Sequence, residues 1–276
     1  MIYKYFLSII LLFSGLTFLP AQEVKLEKIW EVNQHLPTPE SVLYDNNSER
    51  LYVSLIDGQG QDKDGKGGIA ILKPDGTIEN SKWVEGLDAP KGLALYKDKL
   101  YVADITKIVI VDIISSNIID EIEVKGATFL NDVTVDDNGV VYVSDTRNNK
   151  IFELNSGEVS LYLDNVPSVN GLKFVNGKLL ALAGKEFWEI DKDRRVTILA
   201  KGFEQGGDGL EPLGNGDYLV TCWPGLVYYV YDDGSIVKIL DVMDKMNTAD
   251  LGYNVNDNII YIPTFNNNSV IAYKLN

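Results

Sequence analysis

The sequence predicts an all-β fold, a six-bladed β-propeller. Three observations lead there. One pattern recurs six times at a spacing of about 40 residues. Each copy alternates apolar and polar residues with a period of two, as strands do. The last copy lacks a strand that the N-terminal region supplies.

The six copies are PESVLYDNNSERLYVS (39–54), PKGLALYKDKLYVAD (90–104), LNDVTVDDNGVVYVSD (130–145), VNGLKFVNGKLLALA (169–183), GDGLEPLGNGDYLVTC (207–222) and ADLGYNVNDNIIYIPT (249–264). Each reads as an inner strand, a turn rich in Asn, Asp and Gly, and a second strand. The turns supply the positive-φ positions of tight hairpins. Taking the second residue of the first copy, Glu40, the equivalents are Lys91, Asn131, Asn170, Asp208 and Asp250. Their spacings are 51, 40, 39, 38 and 42 residues. A period near 40–45 with four short strands marks propeller blades. Third strands follow in TKIVIVDI, NKIFELN and GLVYYVYDDG, and fourth strands in NIIDEIEVKG and EVSLYLDNVP. The sixth copy ends at Asn276 after its third strand. VKLEKIWEVNQHLP (24–37) reads like the fourth strand of the first repeat, and is expected to close the ring on the C-terminal strand.

Composition narrows the function. Of 276 residues, 45% are hydrophobic and 24% charged, as in a folded chain rather than a disordered one. Lys and Arg total 25 against 40 Asp and Glu, a formal charge of −15 that argues against a nucleic-acid partner. One cysteine and one histidine exclude an internal disulfide and a Cys/His zinc site, so any metal must be held mainly by oxygen.

Residues 1–21, MIYKYFLSIILLFSGLTFLPA, read as a signal peptide. Lys4 supplies the positive start, and an apolar stretch of 14 residues from Phe6 to Leu19 is short for a membrane span. The expected mature domain is 22–276, exported to the periplasm or the exterior, monomeric and free of membrane after cleavage. Without residues 1–21 the chain carries 24 basic against 40 acidic residues, or −16.

In a propeller, equivalent inner-strand positions converge on one axis. Glu40, Asn131, Asn170, Asp208 and Asp250 would then face one another at one mouth, with Lys91 the exception. Carboxylates and amides so gathered are the oxygen ligands of a hard cation such as Ca²⁺. Asn, Asp and Gly also favour strand ends, so composition alone leaves both readings open. Lys91 either meets a substrate carboxylate or points away. Arg147, in SDTRNNK, and Trp223 follow second strands, where they would shape the pocket.

These motifs resemble the SMP-30/gluconolactonase family, also called the regucalcin family, whose members are six-bladed propellers with one central divalent metal. Glu40 in PESVLYD is similar to the family's first acidic motif, Asn131-Asp132 to its Asn-Asp motif, Asn170-Gly171-Leu172 to its Asn-Gly-Leu motif and Asp208-Gly209 to its Asp-Gly motif. The resemblance implies metal ligands at Glu40, Asn170 and Asp208, with Ca²⁺ ahead of Zn²⁺, Mg²⁺ or Mn²⁺. It implies a metal-activated water opening a lactone or related ester, with Asp208 as general base and Asn131 at the substrate. Lys91, Asp250 and Arg147 are expected around the substrate from their positions in the repeats. The sequence departs from the family at Phe129, where an Arg often holds a sugar-like substrate, and at Ser41-Val42, where Gly-Pro is usual. The rival reading is a non-catalytic propeller of NHL or YVTN type that binds a small ligand or protein.

The segment LIDGQGQDKDGKGG (55–68) lengthens the first repeat; without the EF-hand register, it reads as a loop over the channel mouth. His35 reads as a solvated loop residue, and Cys222, within a strand, as a buried inert thiol.

Overall fold

Alternating runs with tight turns fold as the sequence predicts, into antiparallel hairpins. A computed structural model describes residues 24–276, so the expected signal peptide lies outside the described residues. Six sheets of four antiparallel strands form the ring of a β-propeller. Blade one comprises Pro39–Asp45, Arg50–Leu55, Gly67–Leu72 and Ile78–Leu87, and blade two Pro90–Tyr96, Lys99–Asp104, Lys107–Asp112 and Asn117–Glu123. Blade three comprises Leu130–Val135, Val141–Asp145, Lys150–Asn155 and Glu158–Leu163, and blade four Val169–Val175, Lys178–Ala183, Glu186–Ile190 and Val196–Lys201. Blade five runs through Leu210–Pro212, Tyr218–Cys222, Leu226–Val230 and Ile236–Asp241. Blade six takes Gly252–Asn254, Ile259–Pro263 and Val270–Leu275 from the C-terminal end.

The fourth strand of blade six is Leu26–Val32, paired antiparallel with Val270–Leu275 so that Leu26 faces Leu275 and Val32 faces Val270. This closes the ring and covers the outer edge that Val270–Leu275 would otherwise expose. Trp30 anchors the join. Its indole lies 5.8 Å from the Tyr261 ring, and its Nε1 donates to the Pro74 carbonyl at 3.0 Å.

The core sits between blades. Each of six apolar clusters draws residues from two adjacent sheets, such as Ile110, Val133 and Phe152 between blades two and three. Adjacent sheets bury their apolar faces on each other, so the axis is free to carry polar groups. Among the described residues the only helical element is a single 3₁₀ turn, Phe265–Asn267, and no helix is long and apolar enough to cross a membrane.

A polar cavity at the propeller axis

A β-bulge directs the inner-strand side chains to the axis. In blades one to four the pairing of first and second strands slips between Pro39 and Val42, Pro90 and Leu93, Leu130 and Val133, and Val169 and Leu172. A bulge leaves residues unpaired and re-aims their side chains. The residues released include Glu40, Lys91, Asn131 and Asn170. A hydroxyl on the second strand takes the freed amide in three blades. Ser54 Oγ accepts from the Ser41 N–H, Ser144 Oγ from Asp132 and Thr221 Oγ1 from Gly209, at 2.8–2.9 Å. The aspartates that end YVAD and YVSD hold the incoming loops. Asp104 accepts the N–H groups of Asp88 and Ala89, and Asp145 those of Thr128 and Phe129.

Glu40, Lys91, Asn131, Asn170 and Asp208 line one cavity of about 280 Å³, together with Ile56, Gly60, Phe129, Trp223 and Phe265. Glu40 is 6% exposed and Asp208 4%. Asn170 Nδ2 donates to Asp208 Oδ1 at 2.5 Å. Asn131 Nδ2 donates to Thr146 Oγ1 at 3.1 Å, and that hydroxyl donates in turn to the Val169 carbonyl. Since both amide nitrogens are engaged, each amide keeps its oxygen for the cavity it lines. Two carboxylate oxygens, Glu40 Oε2 and Asp208 Oδ2, are buried with no hydrogen-bond partner.

The electrostatics follow from that burial. Desolvation pushes the Glu40 carboxyl well above the usual range; the Asp208 charge adds to the rise and Lys91 opposes it. Burial, helped by the Asp250 charge, raises Asp208 to about 8, against the pull of the Asn170 hydrogen bond. Burial lowers the Lys91 amine, while the Glu40 charge draws it back up.

Asp250 is placed elsewhere. It forms a parallel bridge with Ser41, takes a hydrogen bond from the Ser41 hydroxyl and borders a smaller channel pocket with Asp132, Lys173 and Glu211. The alignment by motif set Asp250 level with Glu40. The strand register keeps that equivalence, since Gly252 opposite Tyr261 matches Val42 opposite Val53. The Asp250 carboxylate, however, is taken by the Ser41 hydroxyl of the neighbouring blade and borders the smaller pocket instead. Beside Asp250, only Asp132 of this deeper layer, in the Asn-Asp motif, stands out in the sequence. Lys173 and Glu211 form an ion pair at 2.6 Å. Asp132 accepts the Leu172 and Val133 amides, yet burial lifts it to about 7.

Arg147 is exposed at the mouth, 4.4 Å from the Phe129 ring centre, and donates to Gln61 Oε1 at 2.7 Å. The segment 55–68 thus lies against the mouth, with Gly60 in the cavity wall and Lys63 Nζ bonded to Thr106 Oγ1. His35 is exposed and borders a separate cavity with Asp57, Lys66 and Glu85. Cys222 is buried, which pushes its thiol up to about 12 and leaves it inert as a nucleophile.

The donor set fits a cation only in a mixed form. Among the described residues no three Asp, Glu, His or Cys side chains gather closely enough to hold a metal. Two orphaned carboxylate oxygens beside two amide groups do match the oxygen ligands a hard divalent ion accepts.

No family model matches the chain, and no curated protein matches it. Solved structures share the fold. A streptogramin B lyase superposes with a TM-score of 0.68 at 11% identity, covering 92% of this chain and 98% of that one. A catalytically inactive histidine-to-alanine variant of virginiamycin B lyase from Staphylococcus aureus, with quinupristin, gives 0.64 at 13% identity over 92% and 100%. At such identities the likeness is one of fold.

Proposed function

We propose that the axial cavity holds one divalent cation, with Ca²⁺ the first expectation, and that the protein hydrolyses a lactone or related ester. The observation that carries this reading is the pair of orphaned oxygens, Glu40 Oε2 and Asp208 Oδ2, facing the same cavity as Asn131 and Asn170. A buried carboxylate without a partner is costly, and a cation between two of them offsets the cost. Glu40, Asp208 and the amide oxygen of Asn170 would hold the ion, with Asn131 beside it. When bound, the cation supplies positive charge that polarises a carbonyl and makes a nearby water more acidic.

The chain's own groups do the rest. Asn170 fixes one oxygen of Asp208, leaving the other to take the proton of the attacking water. That water adds to the carbonyl carbon, the bond from this carbon to the ring or ester oxygen breaks, and the proton passes to the departing oxygen. A hydroxy acid, or an acid and an alcohol, results. Asn131 orients the substrate, while Ile56, Phe129, Trp223 and Phe265 give the cavity an apolar wall that limits water.

The inactivated lyase in the comparison lacks one histidine. Here no histidine lines the cavity, since His35 lies in an exposed loop bordering another one. The reading therefore borrows no histidine chemistry from that neighbour. Elemental analysis of the purified protein beside Glu40→Gln is the test: about one equivalent of divalent metal in the parent and a clear loss in the variant are expected. Equal contents would overturn the proposal. Export of a domain beginning near residue 22 is part of the same proposal, checked by N-terminal sequencing of the secreted chain.

A further inference from the structure

The cavity contains a feature that cation binding does not use. Lys91 is 2% exposed, and its ammonium makes one hydrogen bond, to the Ala89 carbonyl at 2.8 Å. An ammonium has three donors, so two remain unspent in a desolvated place. Its nearest neighbours include the Phe129 ring, whose centre lies 4.6 Å from Nζ. The Arg147 guanidinium approaches the same ring, and its hydrogen bond goes to the neutral Gln61. Neither cation has a carboxylate within ion-pair distance among the described residues. That is unusual in a chain with 40 acidic residues against 25 basic ones. Lys107, by contrast, reaches Asp88, Asp104 and Glu121.

The charges of Glu40 and Asp104 act on Lys91 from beyond ion-pair distance. Two cations gathered on one aromatic ring at the edge of a cavity, neither paired directly with a carboxylate, leave a place for an anion. We propose that this side of the cavity binds the carboxylate of an anionic substrate, with Lys91 as its buried partner, Arg147 as its partner at the mouth and the apolar wall of Phe129 and Trp223 against the substrate's body. The substrate class is thus an ester or lactone that carries a free carboxylate on an apolar or aromatic frame. The chemistry matches Phe129, which offers a ring where a hydrogen-bonding side chain would suit a polyhydroxylated substrate. A carboxylate spends the unused donors of Lys91 in charge-assisted bonds, which are stronger than neutral ones. It also relieves the mutual repulsion of the two cations. The inference rests on reading the axial cavity as the substrate site, but not on turnover.

The test is a binding comparison by calorimetry or NMR titration, with phenylacetate against its neutral counterpart phenylacetamide. The parent is expected to prefer phenylacetate by at least about tenfold, as one charge-assisted bond implies. Lys91→Met should bring the ratio near one, and Arg147→Met, at an exposed site that leaves folding untouched, should reduce it several-fold. Chelator-treated parent, freed of any bound cation, should keep the preference. A parent ratio near one overturns the proposal, as does a preference that survives both Lys91→Met and Arg147→Met. A preference lost on chelation places the carboxylate on the cation and overturns it too. Absence of hydrolysis or of metal, with the preference intact, would sink the proposed activity and leave the anion site standing.

Discussion

Asn170 Nδ2 and Asp208 Oδ1 lie 2.5 Å apart, joining blades four and five at the axis and leaving Asp208 Oδ2 alone among buried oxygens. Gly171 makes the approach feasible, because a Cβ there would sit 2.4 Å from the Asp208 carbonyl oxygen. Removing the amide takes away a bond that holds the Asp208 carboxyl down. Asn170→Ala is expected to raise Asp208 above its value of about 8. Calcium binding should weaken roughly 10–100-fold, the equivalent of about 1.5–3 kcal/mol for a bond to a charged group. Calorimetric titration with Ca²⁺ across pH checks both effects.

Glu40 and Asp208 both titrate above their ordinary values, so folding without a cation favours their protonated forms. The folded chain binds more protons than the unfolded one between 3.8 and about 8, and its stability declines across that window as pH rises. The melting temperature of chelator-treated protein should therefore fall from pH 5 to pH 8. Added Ca²⁺ should raise it most at the alkaline end, where the carboxylates are already ionised. A calcium shift that is larger at pH 5 than at pH 8 would contradict the assignment.

Closure by Leu26–Val32 makes the ring depend on both chain ends. Trp30→Ala removes the contact with Tyr261 and the bond to Pro74, and is expected to cost about 2–3 kcal/mol, less than for a fully buried tryptophan. That corresponds to roughly 5–10 °C in melting temperature for a domain of this size. Deleting the strand up to Val32 should do more, leaving an open edge that promotes association, visible by light scattering.

Asp145 tests how the mouth is supported. It accepts the backbone amides of Thr128 and Phe129 and the side-chain amide of Asn148. Asp145→Ala leaves those donors without their acceptor. The expected cost is about 2–4 kcal/mol in thermal or denaturant unfolding, and phenylacetate binding should be lost along with it, since Phe129 and Arg147 share that loop region.

The repeats made most of this legible. Their period fixes six blades, and the strand count predicts that residues 24–37 complete the last one. Five of the six equivalent positions meet at one cavity, because the same bulge recurs and the motif marks its place. Asp250 holds the equivalent register position but departs in its side chain, which the Ser41 hydroxyl of the next blade holds at the smaller pocket, a contact that no local spacing encodes. The deeper partners of Asp132 were hidden for another reason. Lys173 and Glu211 sit inside strand patterns whose alternation reads as polar and solvent-facing, whereas the ring turns those faces toward the channel. The meeting of Lys91, Phe129 and Arg147 joins blade two to blade three, and no local spacing encodes it.

The axial residues come from blades one, two, three, four and five, and the chain between Glu40 and Asp208 is most of the ring. No hairpin or pair of blades can assemble the cavity, because the two orphaned carboxylates come together only when blade six docks beside blade one. Their encounter requires the completed ring. A ligand for this cavity would thus act as a clasp on the finished circle, reporting by its own affinity whether the propeller has closed.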